Sequence, residues 1–182
     1  KQAVLSGSCA PVLVASATES IGIVPLLLGI TRYLPSPAEQ PNPTVDGAQE
    51  NDMETCGVLA FKTTADPFIG KLTYLRVMSG ILESDTRIQN HTKKTEERIG
   101  TLHVMRGKEQ IPVKRLHSGD LGTIAKLSDT STGDSLGDKN KPLHFQTAVY
   151  PGSLYAVAVR PRTQADSTKM GPTLTRLCEE DQ

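Results

Sequence analysis

Hydrophobic positions along this chain change their rhythm twice. Near the start, Val12-Leu13-Val14-Ala15 is a continuous apolar run of the kind expected of a strand buried on both faces. A polar loop, Thr18-Glu19-Ser20, leads into a helix predicted to begin near Gly22. Pro25 falls in its first turn, where N–H groups need no intrahelical partner. Leu26, Leu27, Ile30 and Tyr33 then share one face, and Pro35 and Pro37 end the helix. Strand, loop and helix in this order form the closing unit of an α/β sheet, and one such unit cannot cover both faces of its strand. From residue 35 to 54 the apolar pattern gives way to Pro, Asn, Gly, Gln and acids, as in a linker.

From about Cys56 to Thr147 the period becomes two. Val58 and Ala60, Leu75 and Val77, then Ile99, Leu121 and Ile124 mark inward positions, and turn residues interrupt at Asp66-Pro67, Ser79-Gly80, Ser118-Gly119-Asp120 and Thr132-Gly133-Asp134. Many short strands with closely spaced turns predict a closed β-barrel, with Gly80 and Gly119 supplying positive φ. A third segment starts near Pro151. Leu154-Tyr155-Ala156-Val157-Ala158-Val159-Arg160 alternates as a strand, Asp166 is a candidate N-cap, and Met170, Leu174 and Leu177 recur at helical spacing around Pro172. The fold class expected is therefore mainly β: a whole barrel at 55–148, a terminal strand-helix piece of an α/β domain at 1–37, a linker at 38–54, and the first strand-helix of an α+β domain at 149–182.

Composition narrows the chemistry. Lys+Arg and Asp+Glu stand at 20 each, so no global field draws in nucleic acid, and any such contact rests on a local patch. Cys9, Cys56 and Cys178 have no metal-ligand spacing among themselves or with His91, His103, His117 and His144, which predicts free thiols of a reducing cytoplasm and no metal site. The longest apolar run, Ile21 to Ile30, is well short of the ~20 residues that span a membrane. The chain opens at Lys1 without Met, as an excised piece would.

Phosphate chemistry needs a Gly-rich loop followed by Lys and Ser/Thr, and no such loop occurs. Asp134-Ser135-Leu136-Gly137 has the outline of a magnesium-side D-x-x-G, but it follows a turn in the β region with no phosphate loop upstream. No catalytic residue is expected here. Basic residues cluster at Lys93, Lys94 and Arg98 and again at Arg106, Lys108, Lys114 and Arg115, interleaved with Glu96, Glu97 and Glu109. They fit either phosphate contact or a solvated strand face.

Several stretches resemble the elongation factor G family. Asp66-Pro67-Phe68-Ile69-Gly70-Lys71-Leu72 is similar to that family's Asp-Pro-Phe/Tyr-Val-Gly-Arg-Leu, and Ser79-Gly80-Ile81-Leu82 to its Ser-Gly-x-Leu turn. Ser118-Gly119-Asp120-Leu121 and Thr132-Gly133-Asp134-Ser135-Leu136 resemble its Ala-Gly-Asp-Ile/Leu and Thr-Gly-Asp-Thr-Leu. Val159-Arg160-Pro161-Arg162-Thr163-Gln164-Ala165-Asp166 and Leu177-Cys178-Glu179-Glu180-Asp181 resemble the opening of its third domain. The turn Leu82-Glu83-Ser84-Asp85 is one residue shorter than the family's and lacks its Gly, and 107–113 is closer to elongation factor G-like paralogues.

The resemblance implies a translation-factor-type barrel preceded by the end of a GTPase domain, in a ribosome-dependent GTPase that promotes translocation in the cytoplasm with GTP and Mg. It implies guanine-adjacent positions at Ser16 and Ala17, and contact with small-subunit ribosomal RNA through Lys71, Lys93, Lys94, Arg98, Arg106 and Lys108. Partners would be the ribosome and other domains of the same protein, with no membrane. The rival expectations are another translational GTPase, of ribosomal protection or release-factor type, and an autonomous RNA- or protein-binding barrel module.

Overall fold

A computed structural model of the chain describes residues 1–36, 39, 55–66, 69–149 and 151–181. It divides into two compact units, Lys1–Pro41 and Asn42–Gln182. The linker expected at 38–54, apart from residue 39, and Pro67–Phe68 of the first turn lie outside the described residues.

In the first unit, α1 (Gln2–Leu5) and α2 (Ile23–Tyr33) are joined by a segment with turns at both ends and no strand. Gly22 caps α2 in the left-handed region at φ 74°, where an added Cβ would meet Val14 O at 2.5 Å. Leu34 then turns extended, as a residue before proline does. Two expectations need correction. Val12–Val14 form no strand: Val12 and Val14 are about nine-tenths exposed, because among the described residues no neighbouring strand takes up their backbone groups. The inward stripe of α2 is Leu26, Gly29 and Tyr33, while Leu27 and Ile30 face out. Gly29 sets that rotation, since Leu13 Cδ1 sits 2.8 Å from where its Cβ would be.

The second unit is mainly β and antiparallel. Its strands are β1 (Gly57–Asp66), β2 (Gly70–Ser79), β3 (Ile81–Glu83), β4 (Arg87–Asn90), β5 (Thr95–Arg98), β6 (Leu102–Arg106), β7 (Glu109–Val113), β8 (Arg115–His117), β9 (Leu121–Ala125) and β10 (Ser135–Gly137). Eight of them form one sheet in the order β5-β4-β10-β1-β2-β9-β6-β7, and β3 pairs with β8 apart from it. Both sheets close on one core, in which Val58, Leu75, Val77, Leu82, Ile99, Leu102, Leu116, Ile124 and Leu136 are almost wholly removed from water. The period-two reading thus picks most inward positions. Leu121 is an exception: it is 56% exposed at the start of β9.

The uninterrupted closure expected of a barrel is not found. No ladder joins the terminal strands β5 and β7. Around β3 the contacts are single bonds, from Ser84 N to Lys114 O, from Ile99 N to Thr86 O and from Leu102 N to Ser84 Oγ. Strands of three to five residues are too short there to extend a ladder. A bulge between Ala60 and Lys62 turns Phe61 outward against Tyr74, with ring centroids 6.2 Å apart.

Residues 151–160 form no strand either. Leu154 and Tyr155 are exposed, and alternation makes a strand only where a partner supplies hydrogen bonds. The following helix α3 (Gln164–Glu180) does form, and it runs through Pro172. Its N-cap is Thr163, not Asp166. Asp166 is the third helical residue, and its carboxylate accepts from Thr163 N in a capping box.

Gly80 and Gly119 take positive φ as expected, at 64° and 93°. An alanine Cβ at Gly80 would also lie 2.8 Å from Thr55 O, whereas at Gly107 (φ 62°) it meets open space. Gly107→Ala is therefore expected to lower stability by about 1 kcal/mol, from the left-handed conformation alone. Gly80→Ala is expected to cost at least ~2 kcal/mol, through added backbone overlap. Urea midpoints of the two variants check the difference.

Candidate functional site

The β4–β5 hairpin carries Lys93, Lys94 and Arg98, and what holds its tip lies far away in sequence. Ile88, Asn90 and Glu97 point inward, so Asn90 and Glu97 are buried polar groups that need partners. They find them in the loop 128–134. Glu97 Oε1 accepts from Asp129 N (2.7 Å), Thr130 N (2.8 Å) and Thr130 Oγ1 (2.9 Å), and Oε2 accepts from Ser128 N (3.3 Å). Asp134 Oδ2 accepts from Asn90 Nδ2 and Ser131 N, both at 2.8 Å. Asp134 of the D-x-x-G outline thus acts as a loop fastener.

The six cations singled out in sequence divide by environment. Lys93 donates through Nζ to Asp129 O and, at 2.6 Å, to Ser131 Oγ, and lies 3.4 Å from Asp134. Its own N–H is taken by Asn90 Oδ1. Lys71 faces Glu179 at 3.7 Å with its side chain 21% exposed. Arg106 pairs with Glu109 at 2.7 Å, both exposed. Lys94, Arg98 and Lys108 are exposed, and their side chains bond to no group among the described residues. Lys94 stands at the hairpin tip with φ 59°. Arg98 lies directly across the ladder from Arg87, which pairs with Glu96 at 3.3 Å. Like charges placed opposite each other destabilise a pair of strands, so this face is improved by an anion. Sequence reasoning missed Arg87, although its alternation with Gln89 on a strand was there to be read. It also missed Glu97 and Asn90 as fasteners, and no spacing signals them.

Ser16 and Ala17 lie in the first unit. Ser16 N donates to Ile21 O (2.9 Å) and Ile21 N to Ser16 O (3.2 Å), while Ser16 Oγ accepts from Glu19 N. The small loop is thereby closed. The exposed Ala17 keeps its N–H without a partner among the described residues.

Next to the hairpin, burial pushes the Cys56 thiol up to about 12, helped by the Asp138 carboxylate, so it is no nucleophile near neutral pH. Burial likewise lowers the pKa of His91, and its neighbour His144 acts in the same direction, against the Asp138 backbone and carboxylate, which raise it. His91 Nε2 is buried without a hydrogen-bond partner among the described residues. Among the described residues no cluster of His, Cys, Asp and Glu could hold a metal ion. No helix among them is long and apolar enough to cross a membrane.

Residues 56–139, nearly the whole β region, match the family model of elongation factor G domain 2. The full chain is 36% identical to elongation factor G of Rhodopseudomonas palustris (strain BisB18), of which it spans 27%. A crystal structure of a Thermus thermophilus protein superposes with a TM-score of 0.81 at 30% identity, covering 99% of this chain and 26% of that one. The matched stretch takes in all ten strands, β1 to β10, and ends before α3. Along its full length the chain is thus similar to an elongation factor G, of which it spans about a quarter.

Two outcomes follow from this geometry. Glu97→Gln places an amide donor against a cluster of N–H donors, and is expected to lower stability by roughly 1–3 kcal/mol in urea unfolding. His91 titrates below its unfolded value of 6.5. Its contribution is therefore complete above that value and is lost as pH falls, because the unfolded chain takes up the proton first. The urea midpoint is expected to drop between pH 7.5 and 5.5 in the wild type, and to drop less in His91→Gln.

Proposed function

We propose that this chain serves as the ribosome-facing part of an elongation factor G-type GTPase in the cytoplasm, its eight-stranded sheet and the β3–β8 pair acting together as a translation-factor barrel. GTP hydrolysis coupled to movement of tRNA and messenger RNA belongs to the longer protein. The observation that carries the reading is the co-linear resemblance along the whole chain to an elongation factor G. Bound GTP with Mg would supply the free energy of the conformational cycle. In this chain, the unpartnered Ala17 N–H on its closed loop would meet the guanine carbonyl, with Ser16 shaping that loop and no residue here catalysing hydrolysis.

The RNA surface is best supported at the outer face of the β4–β5 hairpin. The Lys94 and Arg98 side chains are free to neutralise backbone phosphates, with Arg87, paired to Glu96, opposite Arg98; Lys108, in the β6–β7 turn, is exposed as well. Lys93, Lys71 and Arg106 are engaged by neighbours and belong to the RNA contact only if those bonds exchange.

Binding to purified small ribosomal subunits across a salt series tests the reading. Saturable binding is expected, with log K falling linearly against log salt. Lys94→Ala with Arg98→Ala is expected to reduce that slope by about 1.5, close to one released counterion per phosphate contact. Lys93→Ala is expected to lower the unfolding midpoint through the 128–134 loop. Absence of binding at low salt overturns the ribosomal reading.

A further inference from the structure

Helix α3 is poorly made for standing alone. None of its residues is buried, Gly171 and Pro172 sit in its interior, and its last turn holds Glu179 and Glu180 with no basic residue. Carboxylates at that end oppose the helix dipole, and Pro172 takes a donor from the ladder. The first turn is secured by the Thr163–Asp166 capping box. The last turns have no such local device, and a short helix without burial is marginal in water.

What the last turn does have is the far end of the β1–β2 hairpin. Ala65 and Lys71 are cross-strand partners there. The Ala65 N–H donates to Glu180 Oε1 at 2.6 Å, and Lys71 Nζ lies 3.7 Å from Glu179 Oε2. Successive carboxylates of the helix thus meet successive donors across one ladder rung. The hairpin end is open to this, since β10 pairs with β1 only from Gly57 to Leu59. Asp66 and Arg176 complete the walls of a crevice of about 140 Å³ at this seam.

We propose that Glu179 and Glu180 form an electrostatic latch onto the β1–β2 hairpin, and that the turns of α3 after Pro172 are helical only while the latch is closed. The residues that spoil the helix end locally are the residues that dock it, so order in α3 reports contact with the sheet. Salt opens the latch by screening, and the N-terminal half stays helical on its own cap. This inference is independent of the ribosomal reading.

Amide hydrogen exchange on the full chain tests it. Glu180→Ala is expected to speed exchange at Ala65 and at 177–181 by at least about tenfold, the effect of losing one charge-assisted bond. Amides at 168–170 and at Leu75 should keep the wild-type rate. Glu180→Gln, which keeps an acceptor but no charge, should fall between. In 1 M salt the wild type should approach the Glu180→Ala pattern. The exchanged pair Lys71→Glu with Glu179→Lys should restore protection that either single change removes, and this comparison stands even if Glu180→Ala perturbs folding. Unchanged exchange at 177–181 in Glu180→Ala, or failure of the exchanged pair to restore it, overturns the latch.

Discussion

A carboxylate buried at the end of the sheet is the constraint on which the rest of this site depends. Ser128, Asp129 and Thr130 lie outside any ladder, and Glu97 takes their three N–H groups together with the Thr130 hydroxyl. In a low-dielectric setting such a network rigidifies when every member is satisfied. Once the loop is fixed, Asp134 can hold Asn90, and Asp129 and Ser131 can hold Lys93. The same loop leads directly into β10, whose pairing with both β1 and β4 ties the hairpin to the middle of the sheet.

This arrangement explains how a chain with balanced charge can present a directed cationic face. Acids are drawn inward to bind backbone, as Glu97 and Asp134 are, or outward to pair with single cations, as Glu109 does. The cations left over are sorted by local fold, and composition gives no hint of them. Lys71 and Glu179 show the same logic at the opposite end of β1, where charge joins a helix to a sheet.

Legibility from sequence followed how local the cause was. The turn glycines Gly80 and Gly119 were readable because positive φ is a property of one residue. The core positions of β1, β2 and β9 were readable because alternation and burial coincide there, Leu121 failing only at a strand start. Val12–Val14 and 154–160 carry strand patterns of equal quality, yet a pattern specifies a strand only where another strand answers it. Asp166 was misplaced by one turn's logic, since a capping box has acid and hydroxyl in reciprocal roles and Thr163 holds the cap. The partition of the lysines was not readable at all. Lys93 meets groups 36 and 38 residues away, and the sequence puts it in the same run as Lys94.

Lys94 is held in the left-handed region, a conformation a lysine rarely takes in a free chain. Its neighbour Lys93 is anchored at both the amide and the ammonium. The backbone freedom at this tip is thus surrendered when the domain folds and not when a partner arrives. An anion reaching the hairpin meets a charge already in place, and only the lysine's own rotamers remain to be ordered.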